Sequence, residues 1–404
     1  MKQGNPPMAQ VKQIPSNRRI NDIEALRATA ILFVVFSHLP ALIIWPNSKL
    51  DYLHNYFAFW SGVDIFYAIS GFVIARELIP RLAALPERSS EQVWRTILAF
   101  WIKRAWRILP AAWTWLGVTL ACSLVLNRSG AWGLFITNFT GTIAALTQTA
   151  NIRLWVCHSL TSGCGSNSIY WSLSMEEQFY ILLPIACIVL RKRLAYALAL
   201  VALVQFFIPR APVSFAWVVR SDALALGVLL AVFSKSKLYN LFEPTFLRSR
   251  WAFIVPAILI VSIAALPIET PKLAFIPFST GVIALASAAL VFIASYNRDY
   301  VTRCAFIRWP LVMIGTRSFA LYLVHMPAYA LTREIWFRAT PSGTTFDGTY
   351  TFRFIATAVF LMIILTEATY RLVEMPMRKR GRDIAERFRA DGDAGISRHQ
   401  IAGD

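Results

Sequence analysis

The chain has 404 residues, of which 57% are hydrophobic and only 15% charged, and its net charge is +18. Soluble domains carry about 25% charged residues, so the composition excludes an ordinary soluble globule or a disordered chain and indicates a polytopic membrane protein. In a soluble protein the excess of Lys and Arg would point to nucleic acid; here it is expected to mark the cytoplasmic loops, with no nucleic-acid partner.

Apolar runs long enough to span a bilayer occur near 26–45, 58–79, 108–126, 173–190, 193–209, 213–234, 251–267, 273–296, 309–331 and 352–373. A further run at 131–150 is threaded with Thr, Asn, Gln and Gly and reads as a re-entrant segment. Ten spans with both termini cytoplasmic, with Arg193 counted in the loop before its span, put 27 Lys and Arg inside against seven outside. Letting 131–150 cross would move several basic clusters to the external face, against the positive-inside rule. The expected fold is therefore an all-α integral membrane protein of about ten transmembrane helices. No cleavable signal peptide is expected, so the first span should stay in the mature protein.

Taken in chain order, the spans carry ionisable groups that cost roughly 2.5–3.5 kcal/mol each in a bilayer and so need a cavity or a partner. "RATAILFVVFSH" sets Arg27 and His38 eleven residues apart. At about 100° per residue this is within roughly 20° of three full turns, so both lie on one helical face, about 16 Å apart along the axis. His38 is suited to take a proton from a hydroxyl, although a lone intramembrane His more often bridges helices. "GVDIFYAISGF" brings Asp64 into the second span, and Ser70-Gly71 permits close approach of a backbone or ligand. "FWIKRAWRILP" places Arg104 and Arg107 three apart on one face, either a fork for a phosphate or a positive-inside anchor. "YWSLSMEEQFY" sets Ser172 and Glu176 four apart; Glu176 either works as an acid/base group beside His38 or favours the helix dipole. "RSDALALG" puts Arg220 and Asp222 in the sixth span, where neighbours should neutralise them. "SFALYLVHMP" sets Tyr322 and His325 three apart in the ninth span, and Glu374, before Pro376, reads as the end of the tenth at the inner surface. Cys157 and Cys164 share a loop expected outside, where either a disulfide or two free thiols would fit. No metal site is expected.

The order of these pieces resembles the bacterial acyltransferase family 3, integral membrane proteins that move acyl groups, commonly acetyl, onto surface carbohydrates. The resemblance rests on "IEALRATAILFVVFSHL", "GVDIFYAISGFVI", "RAWR", "WSLSMEEQFY", "RSDALALG", "GTRSFALYLVHMP" and "YRLVEMP". It extends from about residue 20 to 378, nearly the whole chain, which gives a transmembrane domain (20–378) between a cytoplasmic polar tail (1–19) and a basic cytoplasmic tail (379–404). Glu24-Ala25 stands where the family usually has Asp-Gly, and Tyr67 where Phe is common; neither change removes a proposed catalytic atom. Some relatives carry a further extracytoplasmic hydrolase-like domain. None follows here, so acceptor binding is expected to use the membrane domain or another protein.

The resemblance implies an O-acyltransferase of the bacterial cytoplasmic (inner) membrane, with no bound cofactor and acetyl-CoA or another acyl-CoA as donor. The family's motifs fall on Arg27 and His38, on Arg104 and Arg107, and on Glu176. Arg104 and Arg107 would hold the donor phosphates. His38 would act as base or transient acyl carrier, Arg27 would stabilise developing charge, and Glu176 would support the imidazolium. Asp64, Ser70, Ser172, Arg220, Asp222, Tyr322 and His325 would be supporting polar groups. Expected partners are the bilayer, the acyl-CoA, a carbohydrate acceptor (exopolysaccharide, O-antigen or similar) and glycan-synthesis machinery. The competing reading is a proton-coupled transporter or flippase of a glycan intermediate, which the same intramembrane charges would suit.

Overall fold

The computed structural model describes residues 20–46, 48–85, 90–160, 163–249, 251, 253–267 and 278–401. The expected N-terminal tail lies outside the described residues. Among those described there are helices and no strands. The helices run α1 (Asn21–Ser37), α2 (Ser48–Tyr56), α3 (Gly62–Ala83), α4 (Ser90–Val125), α5 (Phe135–Leu146), α6 (Ala150–Ser159), α7 (Tyr170–Leu190), α8 (Leu194–Phe207) and α9 (Phe215–Val218). They continue with α10 (Asp222–Phe233), α11 (Leu238–Leu241), α12 (Ile254–Ala265), α13 (Ser279–Ser295), α14 (Ala305–Thr316), α15 (Ser318–Ala339), α16 (Thr351–Ala368) and α17 (Met375–Ile401).

Among the described residues, three helices are long and apolar enough to cross a membrane, and five if each sharply bent pair counts as one span. Bulky apolar side chains face outward, among them Leu203 and Phe207 on α8, Phe306 and Trp309 on α14, and Phe352 and Phe360 on α16. In water such an exterior would aggregate; in lipid it is the expected surface. Helix α5, at 12 residues, falls short of the roughly 20 that a crossing requires.

Three expectations need correction. The run at 309–331 is not one helix: α14 and α15 meet at Arg317 with a 76° bend. Gly315 lies so close to the Glu24 carbonyl on α1 that a β-carbon there would collide with it, and Arg317 turns out of helical geometry to pair with Glu367 at 2.5 Å. The run at 108–126 belongs to a helix that starts well before it, because α4 is one 36-residue helix that carries Arg104 and Arg107 in its middle. Glu374 ends nothing. A π-helical turn, Thr369–Glu374, leads directly into α17. Its wider hydrogen-bond spacing absorbs Pro376, which lacks an N–H and would otherwise interrupt the ladder.

Small residues set the tightest crossings. At Gly71 of α3 a β-carbon would strike the Leu224 carbonyl of α10, and at Gly227 of α10 it would strike the Ala68 carbonyl of α3, so the two backbones touch. Helix α1 packs between α3 and α14. Cys157 and Cys164 are joined as a disulfide, resolving that alternative.

Candidate active site

Five helices bring polar groups to one pocket. Arg27 comes from α1, Ser70 from α3, Arg104 and Arg107 from α4, and Ser172 and Glu176 from α7; Tyr322 of α15 closes one wall. The cavity holds about 90 Å³. The helical spacing accounts for the convergence within each element, since residues three or four apart share a face. Glu176 accepts hydrogen bonds from Ser70 at 2.8 Å and Tyr180 at 3.0 Å. Ser172 and Tyr322 share one at 2.8 Å, and the Tyr322 hydroxyl also donates to the Ile169 carbonyl.

Beyond the pocket, past Tyr322, stand the two histidines. The His38 and His325 ring centroids lie 5.1 Å apart, and those of His325 and Tyr322 5.8 Å apart. His38 follows the last residue of α1, where its Nδ1 is 2.8 Å from the Val34 carbonyl. A carbonyl can only accept, so Nδ1 carries the proton and Nε2 keeps its lone pair. The same argument fixes His325, whose Nδ1 is 2.7 Å from the Tyr322 carbonyl. Its Nε2 is buried without a hydrogen-bond partner. The ring beside His38 is thus that of His325; no contact joins His38 to Glu176 among the described residues.

On the opposite side, Arg104 and Arg107 also line a larger vestibule of about 480 Å³ with Arg81, Lys103, Arg378 and Arg382, against only Glu77 and Glu386. Arg104 pairs with Glu77 at 3.1 Å, Arg27 with Glu24 at 2.9 Å and Arg378 with Glu374 at 3.3 Å. Arg107 makes no hydrogen bond or ion pair among the described residues, although it is half-buried between these cations. A desolvated, unpaired guanidinium is unfavourable unless an anion completes it.

The remaining predicted groups serve a different purpose. Asp64 takes Arg220 in a two-pronged ion pair of 2.9 and 3.0 Å, both side chains fully buried. The guanidinium sits 4.0 Å from the Trp217 ring centroid and 5.0 Å from that of Trp171, with Trp60 and Tyr67 completing an aromatic cage. Asp222 pairs instead with Arg210, at 2.6 Å. None of these charges lines the pocket, although Tyr67 separates the cage from it. Tyr180 stands four residues after Glu176 and so on the same face. Sequence reasoning missed Glu77, which needed the packing of α3 on α4, and the α17 arginines, which needed that of α17 on α4.

Fold and site together define a helical membrane protein with a pocket that adjoins a cationic vestibule on one side and is closed by Tyr322, with a histidine pair behind it, on the other. The acyltransferase-domain family model matches residues 20–368. The chain belongs to acyltransferase family 3. It is 27% identical to YrhL of Bacillus subtilis, provisionally named a peptidoglycan O-acetyltransferase, over 90% of this chain and 56% of that protein. It is 24% identical to the O-acetyltransferase OatA of Staphylococcus aureus over 92% of this chain and 59% of the relative. Against the peptidoglycan O-acetyltransferase OatA of Listeria monocytogenes the identity is 25%, over 91% of this chain and 57% of the relative. The chain thus spans under three fifths of the length of these curated relatives. No solved structure matches it.

Proposed function

We propose that this chain is an O-acetyltransferase of the bacterial inner membrane, spanning it about ten times with both termini cytoplasmic. It takes acetyl from acetyl-CoA at the cytoplasmic face and delivers it to a carbohydrate hydroxyl at the other. The observation that carries this reading is Arg107, unpaired among the described residues, at the junction of the basic vestibule and the pocket, whose Tyr322 wall stands between it and His325 and His38. The donor phosphates bind Arg104 and Arg107, and the thioester arm follows the pocket past Ser172 and Tyr322. His38 Nε2 takes the proton of the acceptor hydroxyl as its oxygen attacks the thioester carbonyl. Arg27, which faces the pocket about 16 Å along α1 from His38, contacts the donor rather than the reacting carbonyl. As the C–S bond breaks, the proton on His38 passes to the departing CoA thiolate. His325, with a free Nε2, stabilises the intervening imidazolium. Glu176 orients Ser70 and Tyr180 along the donor's path. An acyl-histidine at His38 is the alternative route to the same products.

The names of the relatives put peptidoglycan first among the acceptors, ahead of exopolysaccharide, O-antigen or another lipid-linked sugar, with glycan-synthesis enzymes as the natural partners. The test is the O-acetyl content of cell-envelope glycans, read by NMR in a deletion strain complemented with wild type or His38→Ala at matched membrane levels. Wild type is expected to restore the acetyl signal, with His38→Ala at least about a thousandfold slower. Equal restoration by both would remove His38 from the chemistry. A glycan unchanged by deletion, with transport that ignores acyl-CoA, would bring the carrier reading forward.

A further inference from the structure

The family match ends at residue 368, yet the wall of the cationic vestibule does not. Met375, Arg378, Arg382 and Glu386 all line it, at intervals of three or four residues along α17. That spacing is one stripe of a helix. The helix is held in place on its neighbour. Gly381 is buried so tightly against Trp106 of α4 that a β-carbon would collide with that side chain, and Ala385, four residues on, is fully buried. Further along, Arg95 of α4 donates to the Phe388 carbonyl at 3.4 Å. This seam of small residues brings α17 against the middle of α4, where Arg104 and Arg107 sit.

The charge of the vestibule is far from balanced, with six cationic side chains facing two carboxylates. Arg107 and Arg382 make no ion pair or hydrogen bond among the described residues, and Arg378 has only its 3.3 Å contact to Glu374. Coenzyme A carries about four negative charges near neutral pH, two on its pyrophosphate and nearly two on its 3′-phosphate. The pyrophosphate adjoins the pantetheine arm and belongs at the neck, where Arg104 and Arg107 face both cavities. The 3′-phosphate hangs from the ribose, one step further out. We infer that Arg378 and Arg382 of α17, outside the segment that the family model covers, form the subsite for the donor's 3′-phosphate.

This inference rests on the acetyl-CoA reading, and one binding experiment separates the two. The full chain in detergent is titrated with CoA and with 3′-dephospho-CoA, as wild type, Arg382→Gln, Arg378→Gln and the off-stripe control Arg387→Gln. Wild type and the control are expected to bind CoA about tenfold more tightly than the dephospho form. In Arg382→Gln and Arg378→Gln that preference should shrink to about twofold or less, with affinity for 3′-dephospho-CoA unchanged. The unchanged dephospho affinity shows that α17 is still seated. A full preference surviving in both variants, or absent from wild type, overturns the subsite but leaves the donor reading standing. Wild type binding neither ligand overturns the donor reading and the subsite with it.

Discussion

Two clusters of buried charge lie on either side of Tyr67, and they are built on opposite principles. Arg220 is complete: two hydrogen bonds to Asp64, a third to the Trp217 carbonyl at 2.9 Å, and an aromatic cage that excludes water. Arg107 is incomplete, with cations around it and no bonded partner among the described residues. A satisfied buried ion pair holds helices together, here α3 and the entrance to α10. An unsatisfied charge facing a cavity marks a candidate site for a ligand of opposite charge. The sequence presents all of these residues alike, as intramembrane charges.

Substitutions can break or sharpen this contrast. The largest expected effect is on Asp64→Asn, which leaves a buried guanidinium without its counter-charge and should cost about 3–5 kcal/mol of stability. Thermal unfolding in detergent should show a large fall in Tm. An undiminished Tm with lost activity would move the cage into the catalytic machinery and dissolve the distinction. Arg107→Gln should do the reverse, lowering acetyl transfer about a hundredfold while Tm stays level or rises, because a cation is removed from among cations. His325→Gln comes next, with kcat reduced about tenfold and the KM for acetyl-CoA unchanged in a membrane transfer assay. A raised KM instead would assign His325 to the donor path.

Much of the pocket was legible before any coordinates. Arg27, Arg104, Arg107, Ser70, Ser172, Glu176 and Tyr322 all meet in it, because each is a polar group on an otherwise apolar helix and such helices turn polar groups inward. Which inward group meets which was not legible. Asp64 and Arg220 are separated by 156 positions, and Arg210, which takes Asp222, lies outside the helix that carries its partner. Helices apolar on nearly every side carry little periodic signal to fix their rotation. The histidine pair was half-visible: both residues stood out, but hydrogen bonds to carbonyls, which fix their proton positions, depend on backbone geometry. The bend at Arg317 and the π turn before α17 arise from close packing and from a ladder that widens; Gly315 and Pro376 stand beside them in the sequence, but neither residue type alone dictates the geometry.

The glycine contacts described for the fold carry a mechanical consequence. Backbone meets backbone between α3 and α10 at Gly71 and Gly227, and between α1 and α14 at Gly315. At these glycines no side chain separates the helices that could change rotamer and let them slide, so the crossings are stiff. The other walls of the pocket, α4, α7 and α15, meet it through long side chains such as Arg107, Tyr180 and Tyr322, which have rotamers to exchange. A cavity of about 90 Å³ has to widen to admit a thioester arm. The compliance for that widening is expected in α4, α7 and α15 rather than at the glycine crossings of α1, α3, α10 and α14.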